Sequence, residues 1–363
     1  LNLQKQKVFL TVLNAVHVLS FVRATFRLSK CSNLERKNYE IEKENKMQET
    51  VSNEIYLSPG PHFSSKRKSW QIMLFVIIAL LPECAAGVFY FGLPALMTIL
   101  ISVATCVLSE ALFQMAIRRP VQIKDLSAVV TGILLALTLP PTTPLWMTVL
   151  GAVFAIVVTK GFFGGIGCNV WNPALSGRAF LMLSFPVAIG ANWVAPGADA
   201  VSTATPLAHA SNIPMWDLFI GNHAGSIGET SIMMILVSAV FLLVTKIIDW
   251  RAPLMMVLTC SACSFIAGSD VLFNLLTGGL LFGAVFMVTD YTTSPVTKPG
   301  RYIFGAGCGL ITFLIRQFGG YPEGVMFSIL IMNSIVPFLN KLSRRKYGYN
   351  LKKDKAENKG GKA

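Results

Sequence analysis

Charged residues are scarce in this sequence. Asp, Glu, Lys and Arg make up 13% of its 363 residues, about half of the roughly 25% that is usual in soluble domains. Hydrophobic residues make up 53%, and the mean hydropathy is +0.58. A chain with so little charge cannot cover the surface of a soluble fold of this size, so most of it is expected to lie in lipid.

Acidic residues are fewer than basic ones, with 18 Asp and Glu against 31 Lys and Arg. The basic residues are concentrated before Trp70, between the hydrophobic runs and after Asn340. Basic residues at the ends of hydrophobic runs set the orientation of a membrane protein. The formal charge of +13 therefore indicates topology, and no nucleic-acid partner is predicted.

Cysteine is absent from the longest polar loop. The sequence has seven cysteines, and six lie in or beside hydrophobic runs, so no disulfide framework is implied. Cys260 and Cys263 form a C-x-x-C pair inside an apolar run, with no second cysteine pair or nearby histidine. This setting favours small-residue packing between helices over redox or metal chemistry, and no metal site is predicted.

The first 46 residues differ from the rest. A modest apolar run at 8–22 is followed by a polar, charge-dense stretch at 23–46, and the first methionine is Met47. Either these residues are upstream DNA translated from an early start, or they are an amphipathic or signal-like extension. The remainder divides into a leader at 47–69, a membrane domain at 70–340 and a basic tail at 341–363.

Ten apolar runs predict an all-α, polytopic membrane protein with about ten transmembrane helices. Only some runs reach the ~20 residues that cross a ~30 Å hydrocarbon core, and several adjoin Pro or Gly, which predicts short or interrupted helices. The runs lie at 70–90, 93–116, 126–139, 145–159, 179–191, 231–248, 252–267, 271–288, 302–315 and 325–339.

Loop charges orient these spans. If Lys66, Arg67 and Lys68 are cytoplasmic, ten spans place nearly all other loop Lys and Arg on that side too, along with both termini. Arg316 is the exception. The loop at 192–230 contains no Lys or Arg, so it is expected on the outer face.

Two stretches resemble each other. Residues 164–180 and 283–304 each contain glycines, a polar turn and a Gly-Arg pair before the next apolar segment. This similarity predicts two related halves.

The outer loop contains the sequence DAVSTATPL from Asp199 to Leu207. It fits the pattern Asp-x-x-Ser/Thr-x-Ala-Thr, which resembles the acceptor motif of a flavin transferase. A chance Ser- and Thr-rich turn is the alternative. The resemblance implies that Thr205 carries FMN through a phosphoester, and that Asp199 and Ser202 are recognised by the transferase.

Further motifs carry the resemblance over most of the chain, namely SPGPHF at 58–63, IALLP at 78–82, NPALSGRAFLMLSFP at 172–186, GSIGETS at 225–231 and TDYTTSP at 289–295. Together they are similar to the NqrB/RnfD family, and more to its RnfD members. The resemblance implies a fold like that of urea transporters, with two related five-helix halves.

The resemblance also implies a function. The chain would be a membrane electron-transfer subunit of an ion-translocating Rnf-type oxidoreductase in the bacterial inner membrane, not a stand-alone enzyme. Its expected partners are iron–sulfur subunits, a second FMN-carrying subunit, the maturing flavin transferase and membrane lipid. The alternatives are an NqrB-like subunit of a Na⁺-translocating NADH:quinone oxidoreductase, a small-solute transporter or channel, and a membrane anchor.

A second polar cluster consists of Asn169, Asn172 and Arg178 on the cytoplasmic side. Amides and a guanidinium suit the carbonyls and ring nitrogens of an isoalloxazine, and NqrB-like proteins hold a non-covalent riboflavin near this region. The alternative is that these side chains cap short helices and satisfy interrupted backbone groups.

Two acids lie in or near the membrane segments. Glu110 falls inside the second run and Asp290 at the end of the eighth, and a charge at mid-bilayer costs ~2.5–3.5 kcal/mol on insertion scales. Both are candidates for ion or proton handling. Glu110 could equally be paired within the bundle, and Asp290 could end a helix at the interface. His209 and His223 flank the acceptor loop and are given no ligand role.

Overall fold

The computed structural model describes residues 68–190, Trp193, residues 214–221, 223–319 and 324–342. All of them belong to one compact unit, residues 66–363. The regular elements within these ranges are helices. The α-helices are α1 Ser69–Phe91, α2 Leu93–Ala116, α3 Ser127–Thr138, α4 Leu145–Val153, α5 Pro173–Ser184, α6 Pro186–Gly190, α7 Met215–Ile220, α8 Ile232–Val244, α9 Arg251–Ile266, α10 Val271–Leu276, α11 Leu280–Phe282, α12 Lys298–Phe318 and α13 Val325–Leu342.

Three helices among the described residues are long and apolar enough to cross a membrane, namely α1, α2 and α13. Shorter apolar helices accompany them, among them α3, α8 and α9. The prediction of a helical membrane protein with some short helices therefore holds. The count of ten spans goes further than these three helices and stays a prediction.

Two helices begin earlier than the apolar runs suggest. Asn172 accepts hydrogen bonds from the first backbone amides of α5, and Thr297 does the same for α12. A proline lies in the first turn of each helix, where its missing N–H costs nothing. Capping thus extends both helices through polar residues, so Arg178 and Arg301 lie on helices and not in turns.

Two helices change their hydrogen-bonding pattern before they end. α4 continues as a π-helix over Phe154–Gly161, and α11 continues as one over Gly283–Met287. Such π segments are rare and often mark functional sites. The first π segment leads directly into one of the two similar polar stretches found in the sequence, and the second forms the beginning of the other.

α3 lies at the centre of the packing, because every residue except Val129 is buried. Gly132 makes this possible, since a Cβ added there would lie 2.7 Å from the Val103 Cα on α2. The Ser102 hydroxyl donates to the Gly132 carbonyl at 2.7 Å. Small residues let membrane helices approach closely, and a short central helix is held in this way.

Arg316, the exception to the charge pattern, has a structural role at the end of α12. Its guanidinium donates to the carbonyls of Asn274, Thr277 and Gly278. These carbonyls lie at the end of α10 and in the turn after it, where backbone acceptors lack helical partners. Arg316 therefore stabilises a helix break.

Candidate functional site

The two similar polar stretches of the sequence meet in space. Asn169 Nδ2 donates to Thr292 Oγ1 at 3.0 Å and to the Trp171 carbonyl at 3.2 Å. Thr292 Oγ1 in turn donates to Asp290 Oδ2 at 3.1 Å, and Thr293 Oγ1 donates to the same oxygen at 3.0 Å. A continuous polar chain therefore runs from the turn before α5 to the turn before α12.

Asp290 lies just after the π segment and closes a turn. Its Oδ1 accepts from the Thr292 backbone amide at 3.3 Å, beside the two threonine hydroxyls on Oδ2. This pattern is that of an aspartate-stabilised turn. The structure thus places Asp290 at a helix end in contact with Thr293, and it lines the cavity described next.

A cavity with about 780 Å³ of empty space, here named the apolar cavity, opens beside this chain. Its walls are mainly apolar side chains of α1, α3 and the second π segment, such as Met73, Val130 and Phe286. Polar groups in its lining include Asn172 and the hydrogen-bonded chain from Asn169 through Thr292 to Asp290. Apolar walls with a few convergent polar groups are typical of cofactor sites.

Two of the three residues predicted to contact a second flavin line this cavity. Asn172 does so while its Oδ1 caps α5, accepting from the Ala174 amide at 3.0 Å and from the Leu175 amide at 3.4 Å. Capping uses the oxygen and leaves the amide nitrogen as a donor. Arg178 is buried on α5 but does not line the cavity, since helix formation from Pro173 carries it past the turn.

Glu110 is paired within the bundle. Its Oε1 lies 2.6 Å from the ammonium of Lys160, and the two residues are 5% and 4% exposed. Lys160 also donates to Ser127 Oγ at 2.6 Å, and Gln114 Nε2 donates to Glu110 Oε1 at 3.3 Å. The other carboxylate oxygen, Oε2, has no hydrogen-bond partner among the described residues.

The ion pair lies between two cavities. A second cavity, here named the polar cavity, has about 760 Å³ of empty space and is lined by Glu110, Gln114, Asp125 and Arg119 among others. Lys160 lines both cavities, whereas Glu110 lines only the polar one. A single lysine therefore contacts the candidate cofactor space on one side and a carboxylate-lined space on the other.

Lys160 is the residue of this candidate site whose position sequence reasoning missed. The charge pattern assigns it to the cytoplasmic loops, but it is buried at the end of the first π segment. The available signal was its position directly after the apolar run 145–159, with Glu110 as an unpaired acid in another run. Counting charges for topology does not test whether a lysine near a span end is buried.

The predicted acceptor residues Asp199, Ser202 and Thr205 lie outside the described residues, as does His209. His223 is described and buried, and burial lowers its pKa to about 4, so it is neutral at pH 7. Cys260 is buried and Cys263 half-buried on α9, and both have free thiols. The described residues include no group of His, Cys, Asp and Glu arranged for a metal ion.

Similar proteins agree on one family. A sequence model of the NQR2, RnfD, RnfE family matches residues 56–348. The D subunit of the Na⁺-translocating ferredoxin:NAD⁺ oxidoreductase complex of Acetobacterium woodii is 43% identical over 313 residues, which are 84% of this chain and 98% of that protein. The D subunit of the proton-translocating ferredoxin:NAD⁺ oxidoreductase complex of Clostridium ljungdahlii is 38% identical over 312 residues, covering 79% and 94%. The D subunit of the ion-translocating oxidoreductase complex of Stutzerimonas stutzeri is 38% identical over 327 residues, covering 77% and 92%.

Proposed function

The chain belongs to the NQR2, RnfD, RnfE family, and from this we propose that it is the membrane electron-transfer subunit of an ion-translocating ferredoxin:NAD⁺ oxidoreductase complex. The similarity to these relatives over nearly their whole length carries this proposal. The relatives act in complexes, so iron–sulfur subunits and a second FMN-carrying subunit are the partners proposed here. An NqrB-like role in a NADH:quinone oxidoreductase remains within the same family.

The first cofactor in this proposal is an FMN esterified to Thr205. The motif from Asp199 to Thr205 supplies a hydroxyl with small neighbours, which a flavin transferase needs in order to reach its target. A covalent tether would keep the cofactor on an outer loop, where a freely exchanging FMN would be lost. Asp199 and Ser202 serve as recognition positions for the transferase.

A non-covalent riboflavin in the apolar cavity is the second proposed cofactor. The apolar walls suit the two faces of an isoalloxazine, the amide nitrogen of Asn172 suits its carbonyls, and the amide oxygen of Asn169 suits its ring N–H. When bound, a flavin supplies one- and two-electron redox chemistry. The protein binds and orients it with the two asparagines, excludes water with the side chains of α1 and α3, and presents the Lys160 ammonium at the cavity wall.

The proposed topology has ten spans in two related halves, with a urea-transporter-like arrangement and cytoplasmic termini in the bacterial inner membrane. The polar break between α10 and α11 and the two π segments support short, interrupted helices. The loop at 192–230 is then external. A cysteine introduced at Ser211 in a background without native cysteines should react with an impermeant thiol reagent in intact spheroplasts. Labelling only after lysis would show that the loop faces the cytoplasm and would contradict the proposed topology.

Ion handling is proposed for Glu110 and Asp290, which line the polar and the apolar cavity respectively. The names of the relatives include both Na⁺ and proton complexes, so the carboxylates are assigned a role without a choice of ion. A small-solute transporter is the competing function, and the two cavities are compatible with it. It leaves the acceptor motif without a purpose.

Flavin fluorescence of the denatured chain tests the redox proposal. After coexpression with a flavin transferase, the wild-type band should fluoresce in a denaturing gel, and Thr205→Ala should not. Thr205→Ser should be labelled in part, because serine keeps the nucleophile but loses the methyl group that restricts its rotamer. An adduct mapped to Ser202 or Thr203 would contradict the site, and an unlabelled wild type would contradict the function.

The second flavin has its own test. Asn169→Leu removes a polar amide from the cavity lining and should lower the amount of flavin that is released on denaturation, while the covalent fluorescence stays unchanged. Asn274→Leu is the matched control, since Asn274 lies on α10 and does not line the cavity. Equal release of flavin from the wild type and from Asn169→Leu would contradict the proposal that riboflavin binds in this cavity.

A further inference from the structure

A third cavity with about 1350 Å³ of empty space, here named the basic groove, adjoins the apolar cavity at Tyr291. It is bounded by the segment between α8 and α9, by the turn at 288–296 and by Arg301 of α12. Three basic side chains line it, Lys246, Arg251 and Arg301, against one acid, Asp249. None of these four residues is used by the proposed electron-transfer function.

The groove holds its guanidinium groups in fixed positions. Asp249 Oδ2 accepts from Arg251 Nη1 at 2.6 Å and also from Arg301 Nη1, while Arg301 Nε donates to the Pro295 carbonyl at 3.0 Å. Partial burial by itself would raise the pKa of Asp249, but the hydrogen bonds from the two arginines hold it below its usual value. One carboxylate shared by two arginines leaves the cluster cationic, and Lys246 adds a further charge.

Aromatic rings complete the lining. The Arg251 guanidinium lies 5.4 Å from the ring centre of Trp250 and 6.0 Å from that of Tyr302, within the range of cation–π attraction. Trp250 is 48% exposed and Tyr291 is 51% exposed. Half-exposed Trp and Tyr are enriched where a membrane protein crosses the headgroup layer.

The surface next to the groove is apolar. Val244 at the end of α8 is 74% exposed, Val296 is 76% exposed, and Leu254 and Leu258 on α9 are 43% and 52% exposed. A soluble anion would need only the charges, and an acidic protein segment would be poorly matched to these flanks. A molecule with an anionic head and apolar chains matches both parts.

We propose that the basic groove binds the phosphate headgroup of an anionic phospholipid, with the acyl chains along the exposed faces of α8 and α9. The groove then lies at the cytoplasmic surface, which rests on the topology proposed above. The N-termini of α9 and α12 meet this region, and their partial positive charge adds to the attraction for phosphate. Basic pockets between membrane helices on this side are suited to such headgroups.

Native mass spectrometry of the purified complex in detergent tests the site, with added phosphatidylglycerol as the probe and phosphatidylcholine as the uncharged comparison. Wild type should retain phosphatidylglycerol preferentially. Arg251→Gln and Lys246→Gln should each reduce retention about fivefold, the factor expected for one basic residue near a membrane surface. The Lys246 side chain is exposed and has no hydrogen bond or ion pair with the described residues. Lys246→Gln should therefore keep the fold intact even if Arg251→Gln does not.

The controls are Lys124→Gln and Lys341→Gln, which remove exposed charges on the same proposed side, outside the groove. If these controls lost as much phosphatidylglycerol as the groove variants, net charge alone would explain the effect. That result would overturn the proposed site. Displacement of the lipid by millimolar inorganic phosphate would assign the groove to a soluble anion instead. Loss of a neighbouring protein from the complex with unchanged lipid would assign it to a protein partner. Flavin fluorescence measured in parallel reports on the redox proposal independently.

Discussion

The Lys160–Glu110 ion pair lies between the apolar cavity and the polar cavity. Removing the ammonium of Lys160 is the most direct test of its role there. Lys160→Met keeps the length and apolar character of the stem but leaves the Glu110 carboxyl without its 2.6 Å partner. Breaking a buried ion pair in this way costs about 3–5 kcal/mol, because the remaining group stays buried without compensation. Ser127 also loses the donor to its hydroxyl oxygen.

The magnitude rests on burial, since both side chains of the pair are nearly inaccessible, at 4% and 6% exposure. For a domain of this size each kcal/mol shifts the melting temperature by about 2–4 °C, so Lys160→Met should melt on the order of 10 °C lower. The double variant Glu110→Leu with Lys160→Met should recover most of this loss, because replacing a buried pair by apolar groups is often neutral.

Thermal unfolding of the detergent-solubilised full chain, followed with a thiol-reactive dye, provides the measurement. Cys106 and Cys308 are buried and free, so they react when the helices separate. Lys124→Met is the control, because Lys124 is exposed on the turn before α3. A melting temperature of Lys160→Met equal to that of this control would refute the reasoning. The reasoning would also be refuted if the double variant lost as much stability as the Glu110→Leu and Lys160→Met single variants lose together.

Three other perturbations have defined outcomes. Gly132→Val should prevent assembly of the α2–α3 contact, because its Cβ would lie 2.7 Å from backbone, whereas Gly190→Ala meets only a side-chain atom at 3.9 Å and should express normally in membrane fractions. His223 binds a proton more weakly in the folded chain than in the unfolded chain, because burial lowers its pKa to about 4. Its contribution to the free energy of unfolding is therefore complete above about pH 6.5 and is lost as the pH falls towards 4. Melting at pH 5 should therefore lie below melting at pH 7, and His223→Gln should reduce that difference. Arg316→Gln should destabilise the chain by about 1–3 kcal/mol, because it leaves the carbonyls after α10 without their charged donor; an unchanged melting curve would contradict this.

Hydrophobic runs predicted where helices lie, but their starts depended on capping. The run that begins at residue 179 is the second half of a helix that starts at Pro173, because Asn172 caps it. The sequence allows a capping role for Asn172, but it does not show how far that cap carries Arg178 from the turn. A periodicity argument follows apolar residues and therefore misses a polar first turn that local hydrogen bonds hold in helical form.

The partners of the polar residues could not be predicted from spacing. Lys160 and Glu110 are 50 positions apart, and Asn169 and Thr292 are 123 apart. Insertion costs indicated that Glu110 needs a partner or a function, but a single sequence does not say which basic residue reaches it. The two similar polar stretches are recognisable because both have turn chemistry, and their contact in space required the tertiary fold.

The shared position of Lys160 has a consequence for charge in the apolar cavity. A negative charge placed there would compete with Glu110 for the same ammonium, because Lys160 lines both spaces. The attraction between the two partners at 2.6 Å is roughly 6 kcal/mol at an effective dielectric constant of 20, and at twice that distance roughly 3 kcal/mol. A shift of Lys160 towards the apolar cavity would therefore weaken its attraction to Glu110, whose Oε2 already lacks a hydrogen-bond partner among the described residues. The carboxylate facing the polar cavity would then attract a cation more strongly. In the proposed function, charge in one cavity and cation affinity in the other would therefore be coupled through a single side chain.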